Sequence, residues 1–197
     1  MTTRTIGRLA IAMTAALMMT SGVATAQDHE FAEPLTALAQ GEIKQIASDP
    51  VLVAAIEAQN ATTSAYDQAK IDALDTQWRA EVDAAAKPLI DATLANAASA
   101  YLAKVQEESG GKFTEIFATD AVGLNVAQST VTSDYWQGDE DKFTLSFGAG
   151  ADAVALGEVE QDESTQTFQS QVSITITDPA TGAPIGSITA GVDLSML

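Results

Sequence analysis

The chain has 197 residues, carries a formal net charge of −18 and contains no cysteine. That charge excludes nucleic acid and anionic membrane surfaces as partners, because both are held by a basic patch. With no cysteine and a single histidine, His29, a Cys nucleophile, a Ser/His/Asp triad and a His-rich metal site are excluded as well.

Arg4 and Arg8 open the chain, an almost wholly apolar run from Leu9 to Met19 follows, and Ala24-Thr25-Ala26 has the small-x-small pattern of a cleavage site. Residues 1–26 are therefore predicted to be a secretory signal peptide cut near Ala26-Gln27. The apolar run is shorter than the roughly 20 residues of a spanning helix. No membrane insertion is expected after cleavage, and the compartment is expected to be the periplasm. Losing two arginines takes the charge from −18 to −20. Without disulfides the exported part, residues 27–197, must hold together by its core, and it is long enough for one domain.

The helical part is predicted over residues 33–109. Pro34–Gln59 is rich in Ala, Leu, Ile and Gln, with a restart at Asp49-Pro50, Asp49 as N-cap and Pro50 in the first turn. Asn60–Ser64 is read as a break. Ile71, Leu74, Trp78, Val82 and Ala85 form one helical stripe within Ala65–Ala86. Pro88 kinks or restarts the helix. A further stripe, Ile90, Leu94, Ala97, Tyr101 and Val105, runs to Glu108, and Ser109-Gly110-Gly111 stops it.

Beyond Gly111 the period changes to alternation, and residues 112–195 are predicted to form the sheet part. Strands are expected at Phe113–Thr119, Leu124–Gln128, Val154–Glu160, Phe168–Thr177 and Ile185–Val192. In the fourth, Phe168, Val172, Ile174 and Ile176 share one face and Gln169, Gln171, Ser173, Thr175 and Thr177 the other. Asp162-Glu163-Ser164-Thr165-Gln166 lacks the residue order of a calcium loop and is read as a hairpin turn. Helices followed by strands make an α+β arrangement.

The run Ile116-Phe117-Ala118-Thr119-Asp120, then Gly123-Leu124-Asn125-Val126-Ala127-Gln128-Ser129, resembles the core of Cache domains, the extracytoplasmic PAS-like sensor modules of bacteria. Asp134-Tyr135-Trp136-Gln137-Gly138-Asp139-Glu140, Gly157-Glu158-Val159-Glu160, Gln169–Ser173 and Ile185–Val192 extend the resemblance, as does Ala47–Ile56 in the helical part. It spans residues 40–195. It implies a single Cache domain: long N-terminal helices packed on a five-stranded antiparallel PAS-like sheet, and a small-molecule pocket between the sheet's other face and the segment after the second strand. Ligands of the family are often amino acids, amines or carboxylates. Output domains and a second membrane segment are absent from this sequence, so reporting is expected to pass through a membrane-bound signalling protein.

Tyr135 and Trp136 are adjacent aromatics in a chain poor in them, suited either to a pocket wall or to plugging the sheet. Asp134 and Asp139 flank them and could hold a ligand amine. Phe117, Gln128, Gln171 and Ser173 lie on strands whose alternation can turn them toward the pocket. Lys142 is the nearest cation. Arg79, the one arginine beyond the signal peptide, is read as half of a surface or dimer-interface ion pair. No cofactor and no metal is expected, and catalysis is not. The alternative to a metabolite sensor is a ligand-free regulatory protein docking on the exported domain of a membrane kinase or cyclase. The long helices offer a surface for a homodimer.

Overall fold

The computed structural model describes residues 24–161 and 167–197. The predicted signal peptide, apart from its last three residues, and the Asp162–Gln166 turn lie outside the described residues.

The helical layer comes first. Helix α1 (Ala24–Leu38) passes through a π turn (Ala39–Ile43) into α2 (Lys44–Ala47). At the predicted restart the Asp49 carboxylate accepts the Val51 amide and Pro50 opens α3 (Pro50–Thr63). A side-chain oxygen satisfies there one of the amides that a helix start leaves unpaired. The helix continues through the stretch expected as a break, and the chain turns at residues 64–67 instead. Asp67 then caps α4 (Gln68–Val82). Pro88 restarts the chain as α5 (Pro88–Leu94) rather than kinking a long helix.

The stripe expected to run unbroken to Glu108 is interrupted. Asn96 takes an extended backbone, accepts the Ser99 amide and caps a separate helix α6 (Ala97–Glu108). Its Nδ2 donates to the carbonyl of Val126, so the cap also ties α6 to the sheet. Gly110 and Gly111, at φ 65° and 100°, end the helix in a conformation that favours glycine.

The strands are β1 (Phe113–Asp120), β2 (Asn125–Gln128), β3 (Val154–Leu156), β4 (Glu160–Gln161), β5 (Phe168–Thr177) and β6 (Pro184–Asp193). They form one antiparallel sheet in the order β2-β1-β6-β5-β3, with β4 also on β5. The single strand expected at Val154–Glu160 is thus two short ones. Between them the Gly157 carbonyl accepts from the Ser170 hydroxyl, and Gly157 N donates to Gln171 O. The five-strand path with helices behind it is the architecture the Cache resemblance implies.

Leu35, Ile43, Leu52, Ile56 and Leu102 from the helices meet Ile116, Ala118, Val172, Ile176, Ile188 and Val192 from the back of the sheet in the main core. Phe168, expected on that face, lies at the exposed end of β5. A second cluster sits beside the sheet edge: Ile71, Trp78 and Ile90 of α4 and α5 pack on Leu124 and Tyr135. The stripe on α4 therefore supports the segment after β2, not the sheet itself. Among the described residues no helix is long and apolar enough to cross a membrane.

Candidate functional site

The site begins with the β1–β2 turn. Asp120, fully buried, accepts the amides of Val122 and Leu124 on Oδ1 and the Gln59 amide on Oδ2. Gly123 has φ 85°, and a Cβ there would stand 2.6 Å from the Cα of Gly138. Only glycine lets the returning chain pass this closely. That chain runs antiparallel beside the turn: Asn125 N donates to Tyr135 O, Gln137 N to Gly123 O, and Leu124 bridges Trp136.

Helix α4 clamps the returning segment. Asp75 Oδ1 accepts the amides of both Tyr135 (2.9 Å) and Trp136 (3.1 Å). Arg79 Nε donates to Asp75 Oδ2 at 2.7 Å, and Arg79 also reaches Asp134 at 3.3 Å. Trp78 Nε1 donates to the carbonyl of Thr132, and its ring stacks on Tyr135 at 5.0 Å.

The front of the sheet, opposite the main core, is polar and buried. Register aligns Gln128, Phe117, Thr189 and Ser173 in one row across β2, β1, β6 and β5, and Asn125, Thr119, Ser187 and Thr175 in the next. Thr119 pairs with Ser187 and Ser173 with Thr189, each at 2.8 Å. Hydroxyl pairs of this kind satisfy polar groups away from water. A short helix α7 (Asp141–Thr144) and a 3-10 turn (Phe147–Ala149) cover β3, β5 and β6 as a roof. Phe143 stacks on Phe147 beneath it.

Under the roof at the β3–β5 edge lies a cavity of about 280 Å³, lined by Lys142, Glu140, Glu158, Glu160, Gln171 and Ser173 among others. Lys142 Nζ is 2.9 Å from Glu140 and 5.4 Å from the centroid of the Phe117 ring. Gln171 donates to Glu115. Lys142 is the one cation lining this cavity, against several carboxylates.

At the β2 end, three side chains gather on one carbonyl. Asp134 O accepts from Asn125 Nδ2, Gln137 Nε2 and Thr132 Oγ1. Asn125 Oδ1, Gln128 Nε2 and Gln137 Oε1 are left buried with no protein partner. Burying a polar group unpaired costs about 1–3 kcal/mol, so this is a place for water or a ligand group.

The eight residues singled out from the sequence do not converge on one cavity. Phe117, Gln128, Gln171 and Ser173 lie on the front of the sheet, and Gln171 and Ser173 line the roofed cavity. Tyr135 is buried on the opposite side of β2, against Trp78. Burial, then the charge of Asp120 and the neighbouring Tyr66, push its hydroxyl pKa up to about 12. Trp136 closes the turn, with Nε1 donating to Val122 O and the ring against Gly138. Asp134 pairs with Arg79 and accepts from Gln137, and Asp139 is exposed. Asp75, Asn125, Thr119 and Gln137 were not singled out. Strand register signals Thr119, two residues from Phe117, whereas Asp75 reads as an ordinary helix-surface acid. Among the described residues no group of three His, Cys, Asp or Glu could hold a metal ion.

No protein-family model matches the chain, and no curated protein does. Among solved structures it is similar to the sensor domain of the histidine kinase DctB of V. cholerae, at 17% identity and a TM-score of 0.48 over 87% of this chain and 55% of that one. It is also similar to the ligand-binding domain of the Pseudomonas fluorescens chemoreceptor CtaA in complex with L-alanine, at 12% identity and a TM-score of 0.37 over 66% and 52%. A third is the E. coli DcuS sensor domain, at 19% identity and a TM-score of 0.35 over 64% and 88%. The chain spans about half the length of the first two. Each of these neighbours is a sensor or ligand-binding domain. The strand order, the helices behind the sheet and the roof in front make this domain Cache-like in fold.

Proposed function

We propose that this chain is a periplasmic sensor module that binds a small metabolite bearing an amine, a carboxylate or both, and reports through a membrane-bound signalling partner. The observation that carries the reading is the roofed cavity at the β3–β5 edge, where Lys142 faces Glu140 and Glu158 beside the Gln171 amide and the Ser173 hydroxyl. A ligand carboxylate would take Lys142 from Glu140, and a ligand ammonium would take the carboxylate so released. The amide and hydroxyl supply neutral hydrogen bonds that fix orientation. The long helices supply a face for a second copy of the chain or for the partner.

A thermal-shift screen of the exported chain against amino acids, amines and organic acids tests this. A ligand at a hundredfold its Kd adds about 2.7 kcal/mol, which raises Tm by roughly 5 °C or more in a domain of this size. Lys142→Met should abolish the shift for carboxylates. No shift across the panel, with a closed cavity in a crystal structure, would sink the reading.

A further inference from the structure

Three carboxamides meet at the front of β2, and each is half used. Asn125 Nδ2 donates to Thr132 Oγ1 at 2.8 Å and to Asp134 O at 3.0 Å. Gln137 Nε2 donates to Asp134 O and, at 2.7 Å, to Asp134 Oδ1. Gln128 Oε1 faces Asn125 Nδ2 at 3.5 Å and the Thr132 hydroxyl at 3.3 Å. These partners fix which end of each carboxamide is oxygen and which is nitrogen. Flipping any one would set donor against donor or acceptor against acceptor.

The other halves are Asn125 Oδ1, Gln137 Oε1 and Gln128 Nε2, unpaired on residues no more than 1% exposed. Two oxygens and one N–H require a group that gives two hydrogens and takes one. A carboxylate has no hydrogen to give, and an ammonium has no lone pair to take one. Either would also be buried without a counter-ion, because the Asp134 carboxylate is already spent on Arg79 and Gln137. A primary carboxamide meets the count. So does a water molecule, which a ligand amide would displace.

The cluster shares the front of the sheet with the cation that anchors the metabolite. Gln128 directly opposes Phe117, and Lys142 Nζ is 5.4 Å from the centre of the Phe117 ring. With one strand spacing added, the distance from Lys142 to Gln128 is about 10 Å. A five-carbon chain with a hydrogen bond at each end spans roughly that length. We propose that the metabolite held by Lys142 carries a primary carboxamide at its far end, recognised by Asn125, Gln128 and Gln137. This rests on the metabolite reading above and narrows it to amides of short carboxylic acids.

Glutaramate, glutarate and 5-aminopentanoate are suitable probes. Each brings a carboxylate for Lys142, and their far ends are an amide, a second carboxylate and an ammonium. In calorimetric titration of the exported chain, glutaramate should bind about tenfold more tightly than the other two, or better. Gln128→Glu removes the single N–H donor and adds a carboxylate, so it should shift the preference to 5-aminopentanoate, with circular dichroism to verify the fold. Equal affinities of the unaltered protein for the three probes would overturn the carboxamide site and leave the Lys142 anchor standing. So would an unchanged order of preference in a folded Gln128→Glu variant, or a crystal structure with glutaramate in which water still occupies the three unpaired atoms. If none of the three binds, the carboxamide site is refuted, and the metabolite reading falls with it only when the wider panel of acids and amines fails too.

Discussion

Replacing Asp75 with alanine should destabilise the domain far more than removing its partner Arg79. The carboxylate is three-quarters or more shielded, at 16% side-chain exposure, and accepts two backbone amides that have no other partner, those of Tyr135 and Trp136. A hydrogen bond to a charged group contributes about 1.5–3 kcal/mol, and part of each loss is recovered where water reaches the freed amide, so Asp75→Ala should cost about 3 kcal/mol. The Arg79 guanidinium is 56% exposed, and an exposed ion pair is worth about 0–1 kcal/mol, so Arg79→Ala should cost less than about 1 kcal/mol. With a urea slope near 2 kcal/mol/M, Asp75→Ala should lower the unfolding midpoint by about 1.5 M and Arg79→Ala by under about 0.5 M. Urea titration followed by tryptophan emission and by far-ultraviolet circular dichroism measures both. Equal midpoint shifts for the two variants would refute the view that the carboxylate acts through the backbone rather than through the ion pair.

Gly123→Ala combines a positive φ with a Cβ placed against Gly138, and should cost about 3 kcal/mol, while Gly110→Ala, with open space around it, should cost about 1 kcal/mol; chemical denaturation separates them. Asp49→Ala removes the α3 cap and should cost about 1 kcal/mol in the same assay. Alkaline titration of tyrosinate absorbance should show one of the three tyrosines ionising late, near 12, and Tyr135→Phe should remove that step. Because the folded pKa lies above the unfolded value, the stability tied to this phenol is intact below about pH 10 and is lost as pH rises toward 12, amounting to roughly 3 kcal/mol. A crystal structure at high resolution should show a water or ligand group bonded to Asn125 Oδ1, Gln128 Nε2 and Gln137 Oε1, and direct pairing among the three would contradict this.

The parts of the fold legible in the sequence are those where local chemistry and tertiary demand agree. Asp49-Pro50 caps and opens a helix wherever it stands, and the alternation at Phe168–Thr177 can only put its polar face opposite its apolar one. The break at Asn96 was hidden because Leu94, Ala97 and Tyr101 keep helical spacing across it; the strand's Val126 carbonyl, distant in sequence, rewards the interruption. The split of the third strand was hidden for a similar reason, since the acceptor on Gly157 is satisfied by Ser170 from β5. For the site, alternation placed Phe117, Gln128, Gln171 and Ser173 on one face. It could not place Tyr135 and Trp136, whose direction depends on the clamp from Asp75, about sixty residues upstream.

That clamp explains why the aromatic pair and the polar strand residues serve different surfaces. The segment from Thr132 to Gln137 lies along β2 and presents two sides. Its Asp134 carbonyl gathers the carboxamides of Asn125 and Gln137 at the front of the sheet, while Tyr135 inserts behind β2 against Trp78. Its backbone is held through Asp75 and Trp78 of α4, a helix that contributes to the second cluster and not to the main core. Substitutions on α4 should therefore disturb this segment and both of its faces together, while substitutions of Leu35 in α1 act on the main core behind the sheet. The roofed cavity, three strands away across the sheet, rests on α7 and β5 instead.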